Sequence, residues 1–337
     1  MARLLLIGAG RMGRTHLEAL RGLDGLELTA VADPSADAVA AARSLLGAAA
    51  LYDDAEDAFA HCGADAALIA APTHLHHRLA AGALEAGLHV LCEKPLTLER
   101  AGSEELGAHA EAAGLILQVG FWRRYCPALV EAKRLLSAGA IGRPILARLV
   151  QWDIESPPLA WCAPELSGGI FVDMGVHEFD QLEWLFERSI VELRAHALAL
   201  GDRRLATVGD LDNAQVAVRL EGGLAASIEL SRTARYADDV RLEVLGADGV
   251  LFVDTQPAAQ VRLGVRDGLR TEWESGDDQM GAGVAAELAA FAAAIEARDG
   301  SGRPGATESA RATELAQLAR ESAAGGDPAD CRPWISP

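Results

Sequence analysis

Basic charge is scarce in this chain: 30 lysines and arginines stand against 49 aspartates and glutamates, a formal net charge of −19. Nucleic acid and anionic membranes both require a basic face, so neither is an expected partner. Cysteine is sparse too, with five in 337 residues. Cys62, Cys92, Cys126, Cys162 and Cys331 are scattered, odd in number and form no Cys-x-x-Cys pair, which argues against a disulfide framework and against structural zinc. They read as simple buried or surface thiols. Long apolar runs are missing, since none reaches the roughly 18 residues needed to span a bilayer. The apolar start, Arg3 to Ile7, runs into a glycine motif with no cleavage-site pattern. It reads as a first strand and not a signal peptide, so a cytoplasmic protein is expected. Internal repeats and long low-complexity linkers are absent.

What is present suffices for two domains, each with its own core. Over the first ~120 residues, short apolar runs (Arg3–Ile7, Leu28–Ala32, Ala67–Ala71, His89–Cys92, Leu115–Val119) alternate with helical stretches (Met12–Gly22, Ser35–Gly47, His74–Gly87, Leu98–Gly114). Gly22, Gly47, Gly87 and Gly114 stand where a helix end uses a left-handed residue. Such alternation predicts a parallel sheet covered on both faces. After Gly120 the pattern changes. Helices are expected over Pro127–Ala138, after Gly169, and over Ala285–Ala297 and Thr307–Ala323. Strands are expected over Val191–Leu200, Asn213–Leu220, Leu224–Leu230, Val240–Leu245 and Val250–Val253, with Gly222-Gly223 and Asp248-Gly249 as hairpin turns. The predicted fold class is α/β: a doubly wound parallel sheet over 1–120, then an α+β domain over 121–337 with a large, mostly antiparallel open sheet. Close packing of the two, with chemistry in the cleft, is the default expectation.

Gly8-Ala9-Gly10-Arg11-Met12-Gly13 is G-x-G-x-x-G directly after a strand and at a helix start. The first glycine permits a tight turn, the second lets backbone approach a pyrophosphate, and the third lets helix and strand pack closely. Helix amides and the macrodipole then hold the phosphates, with Arg11 and Met12 beside them. The second strand ends at Asp33, twenty residues after Gly13, where a carboxylate binds both ribose hydroxyls and repels a 2′-phosphate. No arginine follows it immediately, so the expected cofactor is NAD in preference to NADP, on a Rossmann domain.

Two further segments suggest chemistry. In Cys92-Glu93-Lys94-Pro95, at the carboxyl end of the fifth strand, Lys94 can reach a nicotinamide and a substrate hydroxyl. In Gly168-Gly169-Ile170-Phe171-Val172-Asp173-Met174-Gly175-Val176-His177-Glu178-Phe179-Asp180, a helix would put Asp173 and His177 on one face at i and i+4. Oxidation of an alcohol needs a base for the hydroxyl proton, and a carboxylate-oriented histidine suits that task. His74, His76 and His77 lack the spacing of a metal set, so no metal is expected. Glu178 reads as solvated, and Asp180 as a structural hydrogen-bonding group.

Together these segments resemble the Gfo/Idh/MocA oxidoreductases over nearly the whole chain. Ala71-Pro72-Thr73-His74-Leu75-His76 is similar to that family's segment near the nicotinamide ribose, and Glu308 to Ser322 to its C-terminal helix. Gly120-Phe121-Trp122-Arg123-Arg124-Tyr125 and Ser231-Arg232 with Tyr236 resemble the inositol 2-dehydrogenase branch. The resemblance implies His177 as general base, Asp173 as its partner and Lys94 as the residue polarising the hydroxyl. It implies Ala71, Pro72, Thr73, His76, Glu93 and Lys94 as cofactor contacts, and Trp122, Arg123, Asp153 and Tyr236 in the substrate pocket. Three features depart from the branch: Trp122 stands where a smaller methionine is common, Trp-Asp-Ile-Glu follows Gln151 in place of Arg-Asp-Pro, and a tyrosine near Val284 is missing. The implied substrate is a small polyol, myo-inositol or a related cyclitol. A sugar (aldose) dehydrogenase is the runner-up, and a dinucleotide-sensing regulator is the alternative of another class. The resemblance also implies a homodimer or homotetramer built through the open face of the C-terminal sheet.

Overall fold

A computed structural model of the chain describes residues 1–256 and 258–325, together with the backbone of Ala329–Asp330. Cys331 lies outside the described residues. The backbone groups into two units, Met1–Tyr125 with Met280–Thr313, and Cys126–Gln279 with the chain from Glu314 onward.

The first unit holds six parallel strands: β1 (Ala2–Ile7), β2 (Leu26–Ala32), β3 (Ala50–Tyr52), β4 (Ala66–Ile69), β5 (His89–Glu93) and β6 (Leu117–Gly120). Their order, β3-β2-β1-β4-β5-β6, is that of a Rossmann sheet. Leu4 to Ile7 and Ala66 to Ile69 are buried residue after residue, as in a sheet covered on both faces. Helices α1 (Arg11–Ala19), α2 (Ala36–Ala42), α3 (Ala55–His61), α4 (His76–Glu85) and α5 (Arg100–Ala113) alternate with the strands. The Ser35 hydroxyl caps α2 and Asp54 caps α3. Gly22, Gly47, Gly87 and Gly114 all take positive φ where the sequence predicts helix ends. Sequence reading omitted β3 and α3, because a three-residue edge strand is too short to show a period.

The second unit starts with α6 (Pro127–Ser137) and β7 (Pro144–Trp152), followed by the short helices α7 (Pro164–Ser167), α8 (Gly169–Asp173) and the longer α9 (Gly175–Phe186). Then come β8 (Ile190–Leu198), β9 (Asn213–Leu220), β10 (Ala225–Ser231), β11 (Asp239–Gly246), β12 (Val250–Gln256), β13 (Ala259–Val265) and β14 (Gly268–Ser275). With β15 (Ala329–Asp330) they form nine strands in the order β14-β13-β12-β11-β7-β10-β9-β8-β15. All neighbours are antiparallel except β7 and β10. Burial alternates along β9 to β12, so one face is the core. Helices α6, α8 and α9 pack on it. The other face carries Arg148, paired with Glu229 and near Glu243 on the neighbouring strands.

Two further helices are α10 (Gln279–Ala297) and α11 (Ala306–Ala323). The sequence division at 120/121 assigned both to the second domain. Instead the chain returns to the first unit over 280–313. The reason is the face α10 offers: Gly25, with φ +98°, lets Ala292 approach where a Cβ would be 2.9 Å away, and Gln118 Nε2 donates to the Glu287 carbonyl. Helix α10 is also long and apolar enough, by composition, to cross a membrane, although no uninterrupted apolar run is that long.

Candidate active site

The glycine loop joins β1 to α1. A Cβ on Gly8, where φ is +94°, would lie 2.6 Å from the Ala70 carbonyl oxygen, and one on Gly13 would lie 2.0 Å from that of Gly8. Backbone blocks both positions. Gly10 differs, since a Cβ there meets nothing within 4 Å. The open space lies beside the amino end of α1, where unpaired amides favour an anion. These residues fit the pyrophosphate of NAD. Asp33 follows β2, with Oδ2 accepting from Ala9 N at 2.7 Å and Oδ1 from Ser35 N at 2.7 Å. Its charge is thus fastened to the loop. Arg11 is exposed at the helix start and Met12 is half-buried.

Ala71, Pro72 and Thr73 follow β4 and are half-buried. His76 is 1% exposed, and its ring nitrogens lie 2.7 Å from the Pro95 carbonyl and 2.8 Å from that of Ala71. It braces the end of β4 against the segment after β5, and burial pushes its pKa down against the pull of the two carbonyls. The Glu93 side chain also turns inward. Its Oε1 lies 2.7 Å from His16 Nε2, and Oε2 accepts from Lys94 N at 3.3 Å. Burial raises the Glu93 carboxyl, but the His16 bond and the charges of His16, Lys94 and His76 outweigh it and hold it below the ordinary range. Nearby, Glu287 is fully buried and neither carboxylate oxygen has a partner among the described residues. Burial, then the Glu93 charge, pushes its carboxyl far up. Lys94 itself is half-buried, and the Lys94–Pro95 peptide is cis. Trp122 and Arg123 follow β6 in a short turn and are buried, the guanidinium 5.8 Å from the indole centre. The Cys92 thiol is buried, which raises its pKa and leaves it inert.

In the second unit, Asp173 ends α8 and His177 sits in the first turn of α9. The expected single helix is broken at Met174, which keeps right-handed dihedrals (φ −99°, ψ −54°). His177 is buried and Asp173 is about a quarter exposed. Arg232, 1% exposed, donates from Nη1 to Asp173 Oδ2 at 3.0 Å and faces Asp210 Oδ2 at 3.3 Å. Asp210 Oδ1 accepts from Ile170 N at 2.8 Å. Asp153 is held beside the end of β10, giving its amide to Ser231 O and accepting from Gln151 Nε2. Tyr236, an expected pocket residue, is 60% exposed, and its hydroxyl is given to Asp239. Glu178, expected in solvent, is buried at 1%, because α9 is enclosed on nearly all sides. A shallow groove of about 540 Å³ along β11–β14, lined by Asp239, Arg241, Asp254 and Glu274 among others, contains none of the expected site residues. Among the described residues no three histidines, cysteines or carboxylates converge as a metal set.

Two family models match this sequence. One, described as an oxidoreductase family with an NAD-binding Rossmann fold, covers residues 2–121. The other, the GFO/IDH/MocA C-terminal domain, covers 129–252. The chain belongs to the Gfo/Idh/MocA oxidoreductase family. Like the family's N-terminal model, it binds NAD on a Rossmann fold, and it is an NAD-dependent oxidoreductase. Similar proteins include myo-inositol 2-dehydrogenase of Thermotoga maritima, 34% identical over 75% of this chain and 75% of that one. Scyllo-inositol 2-dehydrogenase (NAD(+)) of Bacillus subtilis is 34% identical over 75% of this chain and 74% of its own. Among solved structures, a myo-inositol dehydrogenase from Corynebacterium glutamicum superposes with a TM-score of 0.84 at 29% identity, covering 99% of both chains.

Proposed function

We propose that this protein oxidises a ring secondary hydroxyl of a cyclitol, myo-inositol or a related inositol, to the ketone. One observation carries the chemistry: His177, buried, follows by one turn a carboxylate that a buried arginine pairs with. That is the setting of a general base whose protonated form an adjacent anion stabilises. The names of the relatives at 34% identity support the substrate class.

In this reading the Gly8–Gly13 loop holds the pyrophosphate and Asp33 the adenosine ribose. NAD bound there would supply the hydride acceptor. His177 takes the hydroxyl proton, Asp173 orients the imidazole, and Lys94 polarises the oxygen as charge develops on it. Arg123 and Asp153 hold neighbouring hydroxyls. An aldose substrate is the second reading, on the ground that Trp122, buried here, stands where the resembled branch commonly has a smaller methionine. The assembly we propose is a homodimer or homotetramer through the open face of the nine-stranded sheet.

A panel of inositols and aldoses, assayed by NADH absorbance with NAD, tests the substrate class. Turnover of aldoses alone would transfer the protein to the second reading. His177→Ala should lower turnover roughly 10²–10⁴-fold, and an undiminished rate in the folded variant would remove the base assignment. Asp33→Ser should reduce the NAD/NADP preference by about tenfold or more, or roughly 1.4 kcal/mol. An unchanged ratio would show that the carboxylate does not select the ribose.

A further inference from the structure

Arg232 is among the most completely buried large side chains of the molecule. It follows β10, where Ala226, Ile228 and Leu230 face the core, and it continues that face by the two-residue period. A guanidinium placed there is costly unless it is matched by charge. It is matched twice, by Asp173 at 3.0 Å and Asp210 at 3.3 Å. Its Nε and Nη2 have no hydrogen-bond partner among the described residues, so the charges themselves hold the arrangement.

The two carboxylates grip opposite ends of one short helix. Asp210 Oδ1 accepts the amide of Ile170 at the start of α8, and Asp173 is the last residue of α8. Gly169, with φ +70°, makes that grip possible, because a Cβ there would stand 2.8 Å from Asp210 Oδ1. Arg232 is fixed in turn by its backbone, with its amide donated to Asp212 O and its carbonyl accepting from Ser156.

We infer that Arg232 is a positioning residue that fixes the Asp173 carboxylate and sets the basicity of His177 through it. This rests on the proposed role of Asp173 and His177. The cation partly neutralises Asp173, so the carboxylate orients the imidazole without raising its pKa as far as a lone anion would. The groups facing the guanidinium are Asp173 on α8, Asp210 on the segment before β9 and the thiol of Cys162 before α7. Burial keeps Cys162 protonated through neutral pH, which leaves the two carboxylates as the charged neighbours.

The experiment is an NMR titration of the His177 ring in the histidine-labelled full chain, with its signal assigned by its loss in His177→Ala. Removing the cation in Arg232→Gln should raise the His177 pKa by about one unit or more. The acid limb of kcat/KM, measured with NAD and the best substrate of the panel, should move up equally. Arg232→Lys should restore both. Asp210→Asn, which strengthens the hold of Arg232 on Asp173, should shift the His177 pKa downward. This variant also provides the reading if Arg232→Gln does not fold. Opposite signs for the two variants support the inference, since general loosening of the fold would not produce them. An unmoved His177 pKa in the folded variants overturns it. A His177→Ala enzyme with full activity would instead overturn the base assignment, while leaving the coupling of Arg232 to His177 measurable.

Discussion

Glu93 and Glu287 are the same residue type in the same unit, both buried to 5% exposure or less, yet their protons are held in opposite ways. Glu93 has His16 at 2.7 Å and gives up its proton more readily than in water. Glu287 has no partner among the described residues, faces the charge of Glu93, and keeps its proton. Burial alone therefore does not decide charge in this protein; the partner does. Arg232 in the second unit follows the same rule, a full charge enclosed only where two carboxylates meet it.

The strongest way to break this contrast is to take the partner away. His16→Ala should leave Glu93 buried without its charged hydrogen-bond partner, costing about 3 kcal/mol or more in denaturant unfolding. A loss below about 1 kcal/mol would mean that Glu93 does not depend on His16. Glu93→Gln keeps the shape and should cost less, about 1–3 kcal/mol, through its weakened bond to His16. Its pH signature is distinctive. The depressed pKa of Glu93 contributes stability above the unfolded glutamate value, near pH 4.3, and this is lost as pH falls through the folded value. Melting curves of wild type and Glu93→Gln should therefore converge on acidification. An effect opposite in sign belongs to Glu287→Gln. A raised folded pKa means that wild-type stability falls as pH rises above about 4.3, by at most ~1.4 kcal/mol per unit until the folded value is reached. The glutamine variant lacks that loss and should melt higher than wild type at pH 8 but not at pH 4. Equal melting points at pH 8 would mean that Glu287 is ionised or finds a partner.

The glycine loop, the alternating strands and helices and the left-handed helix ends were legible because each is a local rule with a short period. Strand β7 was not. It begins at Pro144 and carries Arg148 and Gln151, and it is defined mainly by the neighbours it pairs with. The segment from Gly168 to Asp180 has the sequence of one helix, and the break at Met174 leaves no signal there because its dihedrals are nearly helical. Asp173, His177 and Lys94 could be singled out by residue type and place. The inward turn of His76 and Glu93 could not, because it depends on carbonyls and a histidine brought close by the fold. Arg232 and Glu287 did leave a trace. One continues the two-residue period of β10, and the other falls in step with Val284, Leu288 and Phe291 on the buried side of α10. A charged residue in phase with an apolar face is the signal that would have found both.

The parallel pairing of β7 with β10 bears on the order in which the second sheet is assembled. Strands β8 to β10 and β11 to β14 are two antiparallel meanders of strands consecutive in the chain, each more local than the pairing of β7 with β10. Strand β7 lies between them in the sheet but precedes both in the chain, and joining it to β10 closes a loop of about 70 residues, from Trp152 to Ala225. Non-local closures of this kind are slow. The seam at β7 should set the folding rate of this unit, so Leu149→Ala should retard refolding more than an equally destabilising change in β13, such as Val261→Ala.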